Sequence, residues 1–200
     1  MAGRIVTARH GRPDIDRSVR IRARDYDDWW AEYDRSGLVP TEAPPESLKE
    51  IARNADYVLS STMPRAIETA RFLVGEERDV PQDVMFVEAP LPGPPIPDFI
   101  RHKASTWGIY ARTFWFLGYA PEGVESHKET WQRVSKVADR LIEMAESGNV
   151  LLCAHGYLNW MLDSHLRKKR GWDRVAREGR NHYWSWRAYE KADQSQSEES

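Results

Sequence analysis

Three short segments carry the side chains with the clearest chemical potential. They are residues 9–11 (RHG), residues 60–65 (SSTMPR) and residues 155–156 (HG), and each follows an apolar run. Arginine offers planar paired donors that match phosphate oxygens. Histidine titrates near neutral pH, and its neutral imidazole can attack phosphorus. These residue types together favour the binding and covalent transfer of a phosphoryl group.

The three segments lie far apart in the sequence, so they can act together only if the fold collects them. Residues 4–8, 57–60 and 150–154 are predicted to be strands, and the last run is apolar throughout, which is typical of a central strand covered on both faces. The carboxyl ends of parallel strands lie along one edge of a sheet, where ligands bind. We therefore expect the polar side chains to meet in one crevice.

Helical patterns alternate with the strands, which predicts a three-layer α/β/α sandwich with a mostly parallel central sheet. A further strand is predicted over residues 84–87 and a last, edge strand over 183–189. The helices are predicted over residues 27–35, 44–53, 64–74, 125–147 and 156–167.

The stretch over about residues 89–122 is rich in proline and then in aromatic residues. We predict a loop followed by a helical excursion or lid, and not a separate domain. One domain is expected over residues 1–193, followed by a disordered polar tail over residues 194–200.

Composition excludes several classes of protein. With 29 basic and 31 acidic residues the net charge is −2, so a large nucleic-acid-binding surface is not expected. No apolar run approaches the ~20 residues of a membrane span, and no signal peptide is recognised. The single cysteine, Cys153, excludes an internal disulfide framework and a multi-cysteine zinc site, and it favours a cytoplasmic location.

Residues 8–13 (ARHGRP) resemble the R-H-G signature of the histidine phosphatase superfamily. Residues 61–70 (STMPRAIETA) are similar to its second signature, S-x-x-x-R-A-x-x-T-A, and residues 154–156 (AHG) to its third. Order and spacing agree over roughly residues 4–165. The resemblance implies a phosphoglycerate mutase-like fold. It also implies a phosphatase that hydrolyses a small phosphomonoester through phosphohistidine, with no metal and no cofactor.

The resemblance further implies roles for individual side chains. His10 is the nucleophile that becomes phosphorylated. The side chains expected to hold the phosphoryl oxygens are Arg9, Arg65 and His155, with Arg12 and Ser61 as secondary contacts.

An alkoxide leaves poorly, so the leaving oxygen needs a proton donor. The resemblance favours Glu88, which directly follows the strand predicted over residues 84–87. Glu125 is the alternative, because it resembles the other acidic position that recurs in the family.

Two other functions could use the same pocket. A phosphoglycerate mutase-type phosphotransferase is disfavoured because the compact mutase pattern around the acid is not visible. A non-catalytic phospho-ligand binding module is disfavoured because His10, both arginines and His155 are all present. The expected partner is a small phosphorylated substrate, and a homodimer stays open.

Two sets of side chains allow two interpretations. Trp29, Trp30 and the aromatic residues between Trp107 and Phe116 either pack in a core or lid, or cover the non-phosphate part of a substrate. The arginines that follow the first motif either form a solvated face or attract a second anionic group of the substrate. They are Arg17, Arg20, Arg22 and Arg24.

Overall fold

The computed structural model describes residues 2–192, and the predicted tail over residues 194–200 lies outside them. The strands are β1 (Ile5–Arg9), β2 (Arg20–Arg22), β3 (Tyr57–Ser61), β4 (Gln82–Asp83), β5 (Arg101–Lys103), β6 (Val150–Ala154), β7 (Trp172–Glu178) and β8 (Trp186–Lys191). The helices are α1 (Tyr26–Arg35), α2 (Glu46–Arg53), α3 (Pro64–Val74), α4 (Ala104–Phe116), α5 (His127–Ala145) and α6 (Gly156–Lys169).

Six strands form one mixed sheet in the order β4-β3-β6-β1-β8-β7. The first four in this order are parallel, whereas β8 and β7 are antiparallel to their neighbours. All five residues of β6 are buried, as its continuous apolar sequence predicts. The predicted mostly parallel central sheet is therefore confirmed.

Helices cover both faces of this sheet. Apolar residues of α5 and α6 pack with Leu152 and Ala154 on one face, and those of α2 and α3 pack with Leu151 and Cys153 on the other. Alternate residues of β6 thus belong to opposite cores, as the two-residue period of a strand requires. The predicted three-layer arrangement is confirmed.

Local sequence signals account for several helix ends. Pro64 is the first residue of α3, where its missing N–H costs nothing. Ser126 and Glu129 form a reciprocal capping box before α5: the Glu129 carboxylate accepts from the Ser126 amide at 2.8 Å, and Ser126 Oγ accepts from the Glu129 amide at 3.3 Å. These signals fix the start of the two helices independently of tertiary contacts.

The strand predicted over residues 84–87 is wrong. Residues Val84–Phe86 form a 3-10 turn, because the Asp83 side chain accepts a hydrogen bond from the Met85 amide at 2.9 Å and bends the chain after the short β4. The predicted edge position of β8 is also wrong. It lies between β1 and β7. The sequence analysis did not predict β7, which carries many charged residues.

The aromatic excursion builds a third hydrophobic cluster beside the two sheet cores. It joins α1 and α4 with residues near the small two-stranded sheet of β2 and β5. The Trp107 indole N–H donates to the carbonyl of Ile21 at 2.9 Å and ties α4 to this sheet. Across residues 2–192, the structure contains no helix with both the length and the apolar character needed to cross a membrane.

Candidate active site

Three adjacent parallel strands deliver the candidate residues to one edge of the sheet. β6 lies between β1 and β3, with Arg9 paired to Ala154 and Ser60 paired to Cys153. The chain turns directly after these positions, so the side chains at residues 10, 61 and 155 come together. The ring centroids of His10 and His155 are 5.2 Å apart.

His10 is buried and held in a defined orientation. Its Nδ1 lies 2.7 Å from the Gly11 carbonyl oxygen, and its backbone N–H donates to Ala154 at 3.0 Å. A carbonyl oxygen can only accept, so Nδ1 carries the ring proton and the lone pair of the neutral imidazole is on Nε2. The Nε2 atom is therefore available as a nucleophile.

The loop after His10 is fixed by residues of the first two motifs. The Gly11 amide donates to Thr69 Oγ1 at 2.9 Å, and that hydroxyl donates to the Arg65 carbonyl at 2.6 Å. A Cβ atom on Gly11 would lie 2.3 Å from the Trp184 ring, so only glycine fits beneath that indole. Gly11 and Thr69 thus attach the histidine loop to α3.

His155 is the residue directly before α6, and it is fully buried. Its Nε2 lies 2.7 Å from Ser61 Oγ, while its buried Nδ1 has no hydrogen-bond partner in the described chain. A Cβ atom on Gly156 would lie 3.1 Å from the Arg9 guanidinium carbon. Glycine at this position lets the Arg9 guanidinium lie against the start of the helix.

The two arginines are anchored, yet each keeps a donor free. Arg65 is fully buried and donates at 3.1 Å both to the Tyr33 carbonyl and to Asp34. The Nε atoms of Arg9 and Arg65 are buried and have no partner among the described residues. Because an unmade hydrogen bond is costly for a buried cation, this pair of donors points to an anionic ligand.

Burial and positive charge lower the pKa values of both imidazoles. Desolvation is the largest cause of the lowered His10 pKa, followed by the charges of Arg65 and Arg9. Desolvation also leads in lowering the His155 pKa, followed by His10, Arg65 and Arg9. Both histidines are therefore neutral at pH 7 in the ligand-free protein, which suits a nucleophile.

One cavity of about 570 Å³ connects these groups with the aromatic excursion. Arg9, His10, Arg65 and Glu88 line it, whereas His155 and Ser61 lie beneath its lining, fully buried. A larger cavity of about 960 Å³ lies near Arg4 and Asn149, at the amino ends of β1 and β6, and none of the three motifs reaches it.

The structure places the two candidate acids differently. Glu88 lines the cavity, and its carboxylate accepts from the backbone amides of Tyr157 at 3.0 Å and Leu158 at 2.8 Å, at the start of α6. Glu125 is absent from the cavity lining and forms a paired salt bridge with Arg133, with both N–O distances below 3 Å. Arg133 in turn donates to the Val87 carbonyl at 2.9 Å. Glu125 therefore supports the segment that carries Glu88.

Arg12 and Arg17 differ in their position relative to the cavity. Arg12 pairs with Glu42 at 2.8 Å and is absent from the cavity lining. Of the four arginines after the first motif, Arg17 is the one that lines the cavity within the described residues.

The loop between β7 and β8 supplies residues that the sequence analysis missed. The Tyr183 hydroxyl accepts from Arg17 at 2.8 Å, and its ring lies 4.6 Å from the Arg9 guanidinium carbon and 5.8 Å from the His10 ring. Arg9 also donates to the Asn181 carbonyl. The sequence analysis predicted a strand over residues 183–189 and therefore did not anticipate this loop. The positive φ of 62° at Trp184 has no signal in the sequence.

The aromatic residues divide into buried and cavity-lining sets. Trp107 and Trp115 are fully buried in separate hydrophobic clusters and are absent from the cavity lining. They therefore pack in the core and do not cover the cavity. Trp29 and Trp30 of α1 do line the cavity.

The chain resembles known proteins both in sequence and in fold. The family model described as "Histidine phosphatase superfamily (branch 1)" matches residues 5–196. A search of curated proteins gave no significant match.

Solved structures share the fold at low sequence identity. A mycobacterial glucosyl-3-phosphoglycerate phosphatase in complex with VO3 is 23% identical, with a TM-score of 0.57 over 94% of this chain and 92% of the other. A histidine-to-alanine variant of Entamoeba histolytica phosphoserine phosphatase bound to phosphoserine is 15% identical, with a TM-score of 0.53 over 83% and 80%. Bacillus stearothermophilus YhfR is 19% identical, with a TM-score of 0.51 over 83% and 80%.

The lowered pKa values of His10 and His155 predict how stability depends on pH. The unfolded chain protonates both histidines below about pH 6.5, whereas the folded chain does not, so folding stability is fully present above that pH and is lost as the pH falls. The slope reaches at most about 1.4 kcal/mol per pH unit for each histidine. Denaturant unfolding between pH 7 and pH 5 in phosphate-free buffer measures it.

The matched variant is His10→Gln, which removes one of the two groups. We expect its unfolding free energy to fall less steeply than that of the wild type over the same range. An unchanged slope would mean that His10 is not a buried neutral imidazole.

Proposed function

The chain belongs to the histidine phosphatase superfamily, and we propose that it hydrolyses a small phosphomonoester through a phosphohistidine formed on His10. The observation that carries this proposal is the buried His10, with Nδ1 bonded to Gly11, beside the unpartnered Nε atoms of Arg9 and Arg65. A neutral nucleophile and free cationic donors at one site suit phosphoryl transfer.

In the first step, His10 Nε2 attacks phosphorus, and the bond between phosphorus and the leaving oxygen breaks. Arg9 and Arg65 stabilise the charge on the phosphoryl oxygens, which is the main contribution expected in such reactions. A bound phosphate dianion also favours the protonated form of His155, so this histidine becomes a further cationic donor when substrate binds. Ser61, bonded to His155, orients that imidazole.

Glu88 is the proposed general acid. It gives a proton to the leaving oxygen. In the second step its carboxylate takes a proton from the water that attacks phosphorus, and the bond between phosphorus and His10 Nε2 breaks. Inorganic phosphate then leaves, and His10 and Glu88 return to their starting protonation states. The position of Glu88 on the cavity wall supports this role over Glu125, which is engaged by Arg133.

No metal ion takes part in the proposed reaction. The positive charge that a metal ion would supply comes from Arg9 and Arg65. The mutase and silent-binding alternatives gain no specific support from the structure.

Replacing His10 by alanine tests the nucleophile. We expect kcat for p-nitrophenyl phosphate to fall by at least about 1000-fold, because the covalent route is lost. Quenching of wild-type turnover of a ³²P-labelled substrate in alkaline detergent should trap a protein adduct that is stable to base, labile to acid and absent from the variant.

His182→Ala is the matched control, since His182 is exposed and is absent from the described cavity lining. It should retain nearly full activity. Equal turnover by wild type and His10→Ala would reject the nucleophile, and binding without any turnover would favour the silent module. Primed interconversion of phosphoglycerates faster than hydrolysis would favour the mutase.

Replacing Glu88 by glutamine distinguishes a general-acid role of this side chain from a role in capping α6. Loss of general-acid catalysis should reduce kcat/KM for an alkyl phosphate by roughly 100-fold or more, and much less for p-nitrophenyl phosphate, whose leaving group needs no proton. Loss of a cap alone would change both substrates by the same factor. Glu125→Gln is the control, and a leaving-group-dependent loss in that variant instead would transfer the acid role to Glu125.

Metal removal tests the independence from divalent ions. Dialysis against EDTA, followed by assay in chelator-treated buffer, should leave kcat unchanged. A loss of activity that added Mg²⁺ or Zn²⁺ restores would contradict the proposal.

A further inference from the structure

We propose that the cavity selects phosphomonoesters whose leaving group carries a planar aromatic ring, held between aromatic side chains of α1 and α6. The inference rests on the proposed function for the position of the phosphoryl group. It concerns the part of the cavity beyond the histidines and arginines.

One wall of the cavity is the aromatic face of α1. Trp30 and Tyr33 stack with ring centroids 4.8 Å apart, and Trp30 also stacks on the buried Tyr26 at 5.9 Å. Trp29 packs behind Trp30 at 6.1 Å. Because each ring is supported by another, Trp30 and Tyr33 are held in place as a rigid cavity wall.

The facing wall comes from the first turns of α6. Tyr157 and Trp160 have ring centroids 5.1 Å apart, and Trp160 is 41% exposed although tryptophan is usually well buried. The Arg112 guanidinium lies 4.0 Å from the Tyr157 centroid and is tied to the Ala89 carbonyl at 3.2 Å. This support fixes Tyr157 while Trp160 remains accessible at the cavity.

Helix α4 also lines the cavity, with Ile109, Arg112 and Thr113 and with three small residues. Ala104, Ser105 and Gly108 line it, and a Cβ atom on Gly108 would have the Tyr26 hydroxyl 3.5 Å away as its nearest neighbour. Small side chains here leave room between the aromatic walls. The cavity volume of about 570 Å³ exceeds what a phosphoryl group alone occupies and lies in the usual range for ligand pockets.

Aromatic side chains of the lining favour a leaving group with a flat apolar surface. Ser105, Thr113 and Asn181 also line the cavity and offer polar contacts, whereas Glu88 is the only carboxylate among the described lining residues, and the proposed reaction already uses it. A flat apolar ring gains burial and contact with Trp30 and Trp160. The aromatic walls thus point to an aromatic leaving group.

A matched substrate pair tests the inference without changing the leaving oxygen. 2-Phenylethyl phosphate and butyl phosphate both release a primary alkoxide and differ in the aromatic ring. We expect kcat/KM to be at least about tenfold higher for the phenylethyl ester, from burial and stacking of its ring. Trp30→Leu and Trp160→Leu should each reduce this ratio severalfold.

Phe116→Leu is the control for loss of a large aromatic residue, because Phe116 is 54% exposed and lies outside the cavity lining. It should keep the wild-type ratio. Equal kcat/KM values for the two esters would overturn the inference, even if both are hydrolysed. If Trp30→Leu does not fold, Trp160→Leu decides, since its side chain lies at the surface.

Binding of phosphonates separates this inference from the proposed function. Calorimetry with 2-phenylethylphosphonate and butylphosphonate needs no turnover, and the phenylethyl compound should bind about tenfold more tightly to the wild type. If the protein shows this preference but hydrolyses neither ester, the aromatic site is supported and the proposed reaction is rejected. Equal affinities would reject the aromatic site while leaving the proposed reaction intact.

Discussion

Burial of two imidazoles beside two guanidinium groups is the constraint on which this structure depends. Burial is the largest cause that opposes protonation of His10 and His155, and the charges of Arg9 and Arg65 add to it. The buried Nε atoms of Arg9 and Arg65 have no hydrogen-bond partner among the described residues. A bound phosphoryl group relieves both costs at once, because it accepts the free hydrogen bonds and neutralises the charge.

Such a site needs a rigid frame, since an unfavourable cluster would otherwise relax by moving apart. The frame is the set of parallel strands β3, β6 and β1, whose buried residues belong to the cores on both faces of the sheet. Thr69 then ties the Gly11 loop to α3, and Trp184 closes over Gly11. Stability elsewhere in the fold thus maintains a locally costly arrangement.

The two candidate acids, Glu88 and Glu125, are linked through Arg133. Glu125 pairs with Arg133, and Arg133 binds the carbonyl of Val87 next to Glu88. Glu88 itself bonds the first amides of α6, the helix that His155 directly precedes. The acid, the second histidine and the helix therefore form one connected unit.

The sequence by itself determined the three central parallel strands, most helices and the residues of the three motifs. Apolar period and helix-start signals are local, and α3 spans the predicted residues 64–74 and begins at Pro64. The motif residues 9–10, 61–65 and 155 were also identified from sequence, because strands that are parallel must bring their carboxyl ends together. The failures were local as well: the Asp83 side chain bends the chain where an apolar run over residues 84–87 predicted a strand.

Only the tertiary structure decided which acid faces the cavity, that Tyr183 reaches Arg9 and Arg17, and which tryptophans line the cavity instead of the core. Each of these outcomes depends on the distance between elements remote in sequence. Such distances are set by how helices and loops pack, and no period or short motif encodes them.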